Sequence, residues 1–367
     1  MTKGALRIGP IQLYCILTQA QIGSAVISIA GDINEESGGS AWISCLAGGV
    51  INCLFVYLVC LLASKAPNSN VFHMLMQRLG GVFGRLLLAS LACFYAIIAY
   101  VILLNWLYTT HLWAYERTPR TVLLLIFISV CIYLILKPVT VYARFAVLTT
   151  CFVPVLVIFT AYSYKDWSME NLLPLIDRGP LNMFKGSIIV LWALAGIEFM
   201  LILPRYVNHM DAKKVLRIAL YSNGTTMLFY SFSVFSSTAL LGPDMISNIR
   251  EPLLYQMKAI SFNIIERMDL IIISLWILFV VMSFCSYFIL FVSSLAAILK
   301  KKEETPLWLT IGCGSLFFIA GIWSWSASQL DLLHHYFDFW VGVVSFICIA
   351  GLLLILKMRG TKGAEQS

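Results

Sequence analysis

Charge is what this chain has least of: Asp, Glu, Lys and Arg make up 12% of its 367 residues, against a hydrophobic share of 60%. A soluble domain carries about a quarter charged residues, so a water-soluble globular fold is excluded. The common enzyme signatures are missing too. There is no Walker A loop, GxGxxG, H-E-x-x-H or G-x-S-x-G, and no loop is long enough to hold a soluble catalytic domain. An intramembrane protease or acyltransferase needs Ser/His, His/Asp or paired Asp groups converging within its spans, yet the one acid well inside an apolar span is Glu198. No enzymatic activity and no cofactor are expected. The ten cysteines lie in apolar stretches without a C-x-x-C, and the five histidines are scattered. His334 and His335 are adjacent in what reads as a loop, and adjacent side chains do not converge on a metal. The thiols read as buried packing residues, and no metal site is expected.

What the chain does have is long uncharged runs and a mean hydropathy of +0.88. At about 20 residues per crossing of a ~30 Å hydrocarbon core, they predict an all-α integral membrane protein of ten transmembrane helices. The spans fall at about 10–30, 40–63, 84–107, 120–136, 142–163, 186–204, 217–241, 269–298, 307–324 and 338–357, forming one polytopic domain. Lys3 and Arg7 ahead of the first apolar run resemble the start of a signal peptide. That run is too long for an h-region and more spans follow at once, so no cleavage is expected.

Lys and Arg set the orientation. With both termini cytoplasmic, 17 of the 25 fall inside: Lys3 and Arg7; Lys65, Arg78 and Arg85; Lys137 and Arg144; Arg205, Lys213, Lys214 and Arg217; Lys300 to Lys302; Lys357, Arg359 and Lys362. Loop 31–39 carries Asp32, Glu35 and Glu36 with no base, and loop 325–337 has no Lys or Arg. The net charge of +7 is therefore topology, with the lipid bilayer as the partner, and no nucleic-acid binding is expected. The longer loops, 164–185 and 242–268, fall outside. In the second, Leu253, Leu254, Met257 and Ile260 have helical spacing, fitting either a lid over a vestibule or an interfacial helix.

Polar residues inside spans need a reason. Glu198 follows the small-residue patch Ala193-Leu194-Ala195-Gly196 near mid-span. Glycine there permits a helix break with the carboxyl on a polar cavity. The other reading is a carboxyl near the span end, bonded to neighbouring backbone. The first span is similar, with Gln19, Gln21, Gly23, Ser24 and Ser28 at its middle. Two glycine-interrupted spans five apart in a ten-span chain point to a binding site at the interface of two repeats. Ser283, Ser286 and Ser294 share one face of the eighth span, where they line a cavity or bond back to their own helix. Tyr95 and Tyr100 in the third span read as lining or as packing.

These segments also carry a resemblance. Gln21-Ile22-Gly23-Ser24, Ala41-Trp42-Ile43, Asn171-Leu172-Leu173-Pro174, Gly196-Ile197-Glu198-Phe199-Met200 with Leu203-Pro204, Ile265-Glu266-Arg267-Met268-Asp269 and Ser274-Leu275-Trp276-Ile277 follow in this order. Together, over residues 8–357, they resemble the B subunit of spore germinant receptors, within the amino acid–polyamine–organocation superfamily. The resemblance implies a five-plus-five inverted repeat with broken helices 1 and 6. It implies a place in the spore inner membrane, and a complex with an A subunit and a C-subunit lipoprotein. Gly196 and Glu198 match the family's G-x-E, and Gly23 its first-span glycine; Ser24-Ala25 stands where relatives often carry a further small or glycine-rich pair.

Two functions fit: a sensor that binds an amino acid or similar nutrient at the midplane and triggers germination, or a proton- or ion-coupled amino-acid permease. Both expect a ligand site of Gly23, Ser24, Ala25, Gly196 and Ser283 with Ile98 and Tyr100 as walls, the ligand held mainly by backbone groups freed at the breaks. Glu198 is expected to support the unwound segment.

Overall fold

In the computed structural model, which describes residues 7–67, 69–176, 178–259, 267–301, 303–323 and 326–364, every regular element is a helix. Ile260, Ile265 and Glu266 of the sequence motifs, and Lys3 and Lys302 of the charge pattern, lie outside the described residues. Spans 2, 3, 7 and 8 are the long helices Ala41–Ala63, Gly81–Trp113, Ala212–Leu241 and Met268–Ile298. Spans 4 and 9, Arg120–Ile135 and Leu307–Ile322, each start directly after a proline, whose fixed φ and missing N–H suit the entry to a helix. Span 5 is two helices, Val139–Thr150 and Val153–Tyr162, because Pro154 removes a hydrogen bond at the joint. Span 10 belongs to one helix, Ala327–Ala364. The loop expected at 325–337 is therefore mostly helical and includes His334 and His335; no Gly or Pro between 327 and 341 stops the helix from starting early.

Spans 1 and 6 are broken, as their glycines predict. Span 1 runs as a helix over Pro10–Gln21, loses helical geometry at Ile22 and Gly23, makes a 3₁₀ turn over Ser24–Ile27, and resumes over Ile29–Ser37. Span 6 is a helix over Pro180–Ala193, opens at Leu194–Gly196, and continues as a 3₁₀ segment over Ile197–Leu201. The short helix Pro204–Val207 follows it. Gly196 has φ +129°, a conformation closed to residues with a Cβ.

Packing reveals the internal symmetry. Span 2 lies on span 7, span 3 on span 8 and span 4 on span 9, while span 1 meets the broken segment of span 6. Spans 1 to 4 thus touch their counterparts five positions on. An odd offset reverses direction across the membrane, so the two halves form a five-plus-five inverted repeat. Two ends can be distinguished. The base-rich end holds Lys65, Arg78, Lys137, Arg205 and Lys300, with the helix Val71–Leu79 between spans 2 and 3. The acidic end holds Glu35, Glu36 and the helices Pro243–Ile246 and Pro252–Ala259. Apolar side chains such as Leu125, Ile126, Leu316 and Ile319 point outward, as a lipid-facing surface requires.

Candidate functional site: the paired helix breaks

The two breaks face each other at mid-height, and each uses the other. A Cβ on Gly196 would stand 2.2 Å from the Ala20 carbonyl oxygen and 2.9 Å from the Gln21 nitrogen, so only glycine permits this approach. Gln21 Nε2 donates to Leu194 O across the gap at 3.0 Å. On the other side, a Cβ on Gly23 would meet Ser283 Oγ at 2.5 Å and Ser283 Cβ at 2.7 Å. Spans 1, 6 and 8 are therefore in direct backbone-level contact.

Unwinding leaves backbone groups without helical partners, and burial makes them costly unless satisfied. Side chains meet most of this demand. Tyr230 OH donates to Gln21 O at 3.0 Å and accepts from Gly23 N–H at 3.4 Å. Trp276 Nε1 donates to Gly23 O at 3.3 Å. Gly196 N–H donates to Glu198 Oε2 at 2.8 Å, and Tyr287 OH reaches the same oxygen at 3.5 Å. Ser345 Oγ of span 10 is buried beside the same carboxyl. Glu198, 1% exposed, thus bonds the backbone at the break. Arg205 turns away from it and pairs with Glu304 at 3.2 Å.

A cavity of about 20 Å³ lies between the breaks, lined by Gln21, Gly23, Ser24, Ala25, Ile102, Trp192, Ala193, Ala195, Ser283 and Tyr287. That is slightly more than one water molecule requires. No wall residue carries a formal charge. Of the residues selected from sequence, Gly23, Ser24, Ala25 and Ser283 come together on this wall, whereas Gly196 stands behind it against span 1. Ile98 and Tyr100 do not reach it. Ile98 is packed in the core, and Ile102, one helical turn on, takes the wall position. Tyr100 faces span 9, where its hydroxyl donates to Ala320 O at 2.9 Å.

Several wall and support residues had no assignment from sequence. Tyr287 is four residues after Ser283 and so shares its helix face, a spacing visible in the sequence. Trp192, Tyr230 and Trp276 resemble ordinary apolar core until the fold places them. Gln21 also joins a buried polar cluster: its amide is 3.4 Å from Asn223 Oδ1, which accepts from Asn52 Nδ2 at 2.6 Å. The other serines of span 8 point elsewhere. Ser294 bonds back to Leu290 O, and Ser286 to Met282 O and to Tyr142 OH.

Both ends are covered differently. At the acidic end the helix Pro252–Ala259 packs on spans 7 and 8 and on the 3₁₀ turn of span 1, with Leu253, Leu254, Gln256 and Met257 buried. Gln256 Nε2 donates to Ser163 Oγ at 2.7 Å and to Ser236 Oγ at 2.6 Å, and Ser237 donates to its Oε1 at 3.0 Å. These bonds hold the helix on the bundle. At the base-rich end, a cavity of about 670 Å³ reaches up to Tyr142 and Phe199, whose rings pack at 5.4 Å.

Two solved structures that share this architecture are transporters. Over 97% of the chain, the fold matches Mhp1, a nucleobase-cation-symport-1 family transporter bound to bromovinylhydantoin, with a TM-score of 0.67, 14% identity and 82% of that chain covered. A Na⁺-coupled sialic acid symporter matches with a TM-score of 0.61, 11% identity, and 96% of this chain and 79% of that one covered. In sequence, spore germination protein GerQB of Bacillus cereus is 21% identical over 97% of this chain and 96% of its own. Spore germination protein A2 of Bacillus subtilis is 23% identical over 97% and 98%. Residues 7–329 match the family described as spore germination protein, and the chain belongs to that family.

Proposed function

We propose that this multi-pass membrane protein is the B subunit of a nutrient germinant receptor, and that a small zwitterionic amino acid binds between the breaks of spans 1 and 6. The carrying observation is the cavity itself. It is walled by Gly23, Ser24, Ala25, Ala193, Ala195 and Ser283, and its wall is free of charged side chains. A neutral wall suits a ligand with no net charge; the space has room for about one water molecule, so the breaks must part to admit an amino acid. Because Tyr230, Trp276 and Glu198 already bond much of the freed backbone, the remaining recognition falls to Ser24, Ser283 and Tyr287 and to the 3₁₀ turn beside them. Gly196 contributes the close packing that shapes the wall.

On this reading the base-rich end is cytoplasmic, as are both termini, the membrane is the spore inner membrane, and an A subunit and a C-subunit lipoprotein are the partners. The likeness to two symporters favours one alternative, a proton- or ion-coupled permease. Binding and uptake separate the two. The purified full-length chain in lipid nanodiscs is titrated with each of the twenty amino acids, and the same chain in vesicles is tested for labelled uptake. Saturable binding of a small neutral amino acid, lost in Gly23→Leu, with no uptake, supports the sensor. Concentrative uptake by the chain alone supports the permease. Binding that survives Gly23→Leu and Gly196→Leu removes the site.

A further inference from the structure

Glu304 is out of place. It lies in the connection between spans 8 and 9 at the base-rich end, where a carboxylate would ordinarily be solvated. Its neighbour Glu303 is exposed, yet Glu304 is only 9% exposed, so the chain path does not force its burial. Three side chains from two other connections converge on it. Asn70 Nδ2 donates to Oε1 at 3.2 Å, Tyr206 OH to Oε2 at 3.0 Å, and Arg205 pairs with Oε2 at 3.2 Å. Asn70 also caps the helix Val71–Leu79 by accepting from His73 N–H at 2.9 Å. His73 Nε2 lies 2.7 Å from Lys301 O, in the same connection as Glu304.

The short helix Pro204–Val207 is the object being held. It follows the 3₁₀ segment Ile197–Leu201, whose residues are all buried, with no glycine between Gly196 and Arg205 to absorb a movement. Span 1 grips it as well, since Ile8 N–H donates to Tyr206 O at 3.1 Å. A displacement of the span 6 break therefore arrives at Arg205 and Tyr206, where Glu304 resists it. We propose that Glu304 is the fastening point of an inner latch, and that release of this latch is how the state of the pocket is read at the base-rich end. The second half of the proposal rests on the pocket reading above.

The test uses the full-length chain in inverted membrane vesicles, with a cysteine placed at Ser293. That residue is fully buried and donates to Glu304 O at 3.1 Å. A charged, membrane-impermeant thiol reagent reports access from the base-rich side, with the parent chain as background. Glu304→Gln keeps the shape and loses the charge, and should speed labelling about tenfold or more. Tyr206→Phe, which deletes one hydroxyl, should give a smaller increase. The exchange Arg205→Glu with Glu304→Arg should return the rate towards the parent value. Equal rates in the parent, Glu304→Gln and Tyr206→Phe overturn the latch. An equimolar mixture of the twenty amino acids should change the rate in the parent and leave Glu304→Gln unaffected. Faster labelling in Glu304→Gln with no response to the mixture in the parent keeps the latch and overturns the pocket reading.

Discussion

Gly23 and Ser283 test the site most directly, because their contact is tight and its relief is specific. In Gly23→Ala the new Cβ would sit 2.7 Å from Ser283 Cβ and 2.5 Å from its Oγ. Unstrained carbon–carbon contact is about 3.5–4.0 Å, so span 1 or span 8 must shift by about 1 Å. A rotamer change moves Oγ but leaves Cβ in place. Overpacking of this kind costs about 1–3 kcal/mol, which is about 5- to 150-fold in an equilibrium constant. Ser283→Gly removes both obstructing atoms. Half-saturating amino-acid concentration, measured on the purified chain, should therefore rise steeply for Gly23→Ala in the parent and only a few-fold in the Ser283→Gly background. The coupling expected for such a contact is about 0.5–3 kcal/mol. An equal penalty in both backgrounds refutes the geometry. Gly196→Ala is the contrasting case. Its obstacle is the Ala20 carbonyl at 2.2 Å, and its φ of +129° adds about 1–3 kcal/mol of backbone strain, so no side-chain trimming should rescue it.

Two further outcomes are expected. Glu198→Gln keeps the shape and the hydrogen-bonding capacity beside Gly196 N–H, so it should retain much of the germination response per receptor; Glu198→Ala should lose the response or the protein, and equal, severe loss in both would move the assignment to a proton-coupled permease. Gln256→Ala strands buried hydroxyls of spans 5 and 7 at about 1–3 kcal/mol each, so amide exchange over residues 252–259 should accelerate at least about fivefold, and unchanged exchange would reject this clasp.

The span count and the two breaks were legible because lipid allows few solutions. A run of about 20 residues without charge has to cross, and a mid-span glycine beside small residues marks where a helix can part. The same logic failed at 325–337, where apolar periodicity ends before the helix does. It was silent about partners. Nothing in Tyr230 or Trp276 announces that each will bond a backbone group on span 1, since both follow from a packing across more than 200 residues of sequence. Tyr100 shows the converse error: a polar tip in an apolar span invites assignment to the cavity, but a 33-residue helix presents every face to something, and its hydroxyl found Ala320 O. Ile98 missed the wall by one turn.

The two buried carboxylates show how far burial alone can mislead. Glu198 and Glu304 are six residues on one side and one hydrogen bond on the other from the same short helix, Pro204–Val207. Glu198 stands in a span, and its donors are a backbone N–H and a phenol, so it fixes a local shape without a counter-charge. Glu304 stands in a loop and pairs with Arg205. Had Arg205 folded back on Glu198, the break and the inner end would have been tied into one rigid unit. With Arg205 on Glu304, the fastening lies beyond the break. On the proposed receptor reading, the segment between moves as a body when the pocket changes, which a static brace would deny.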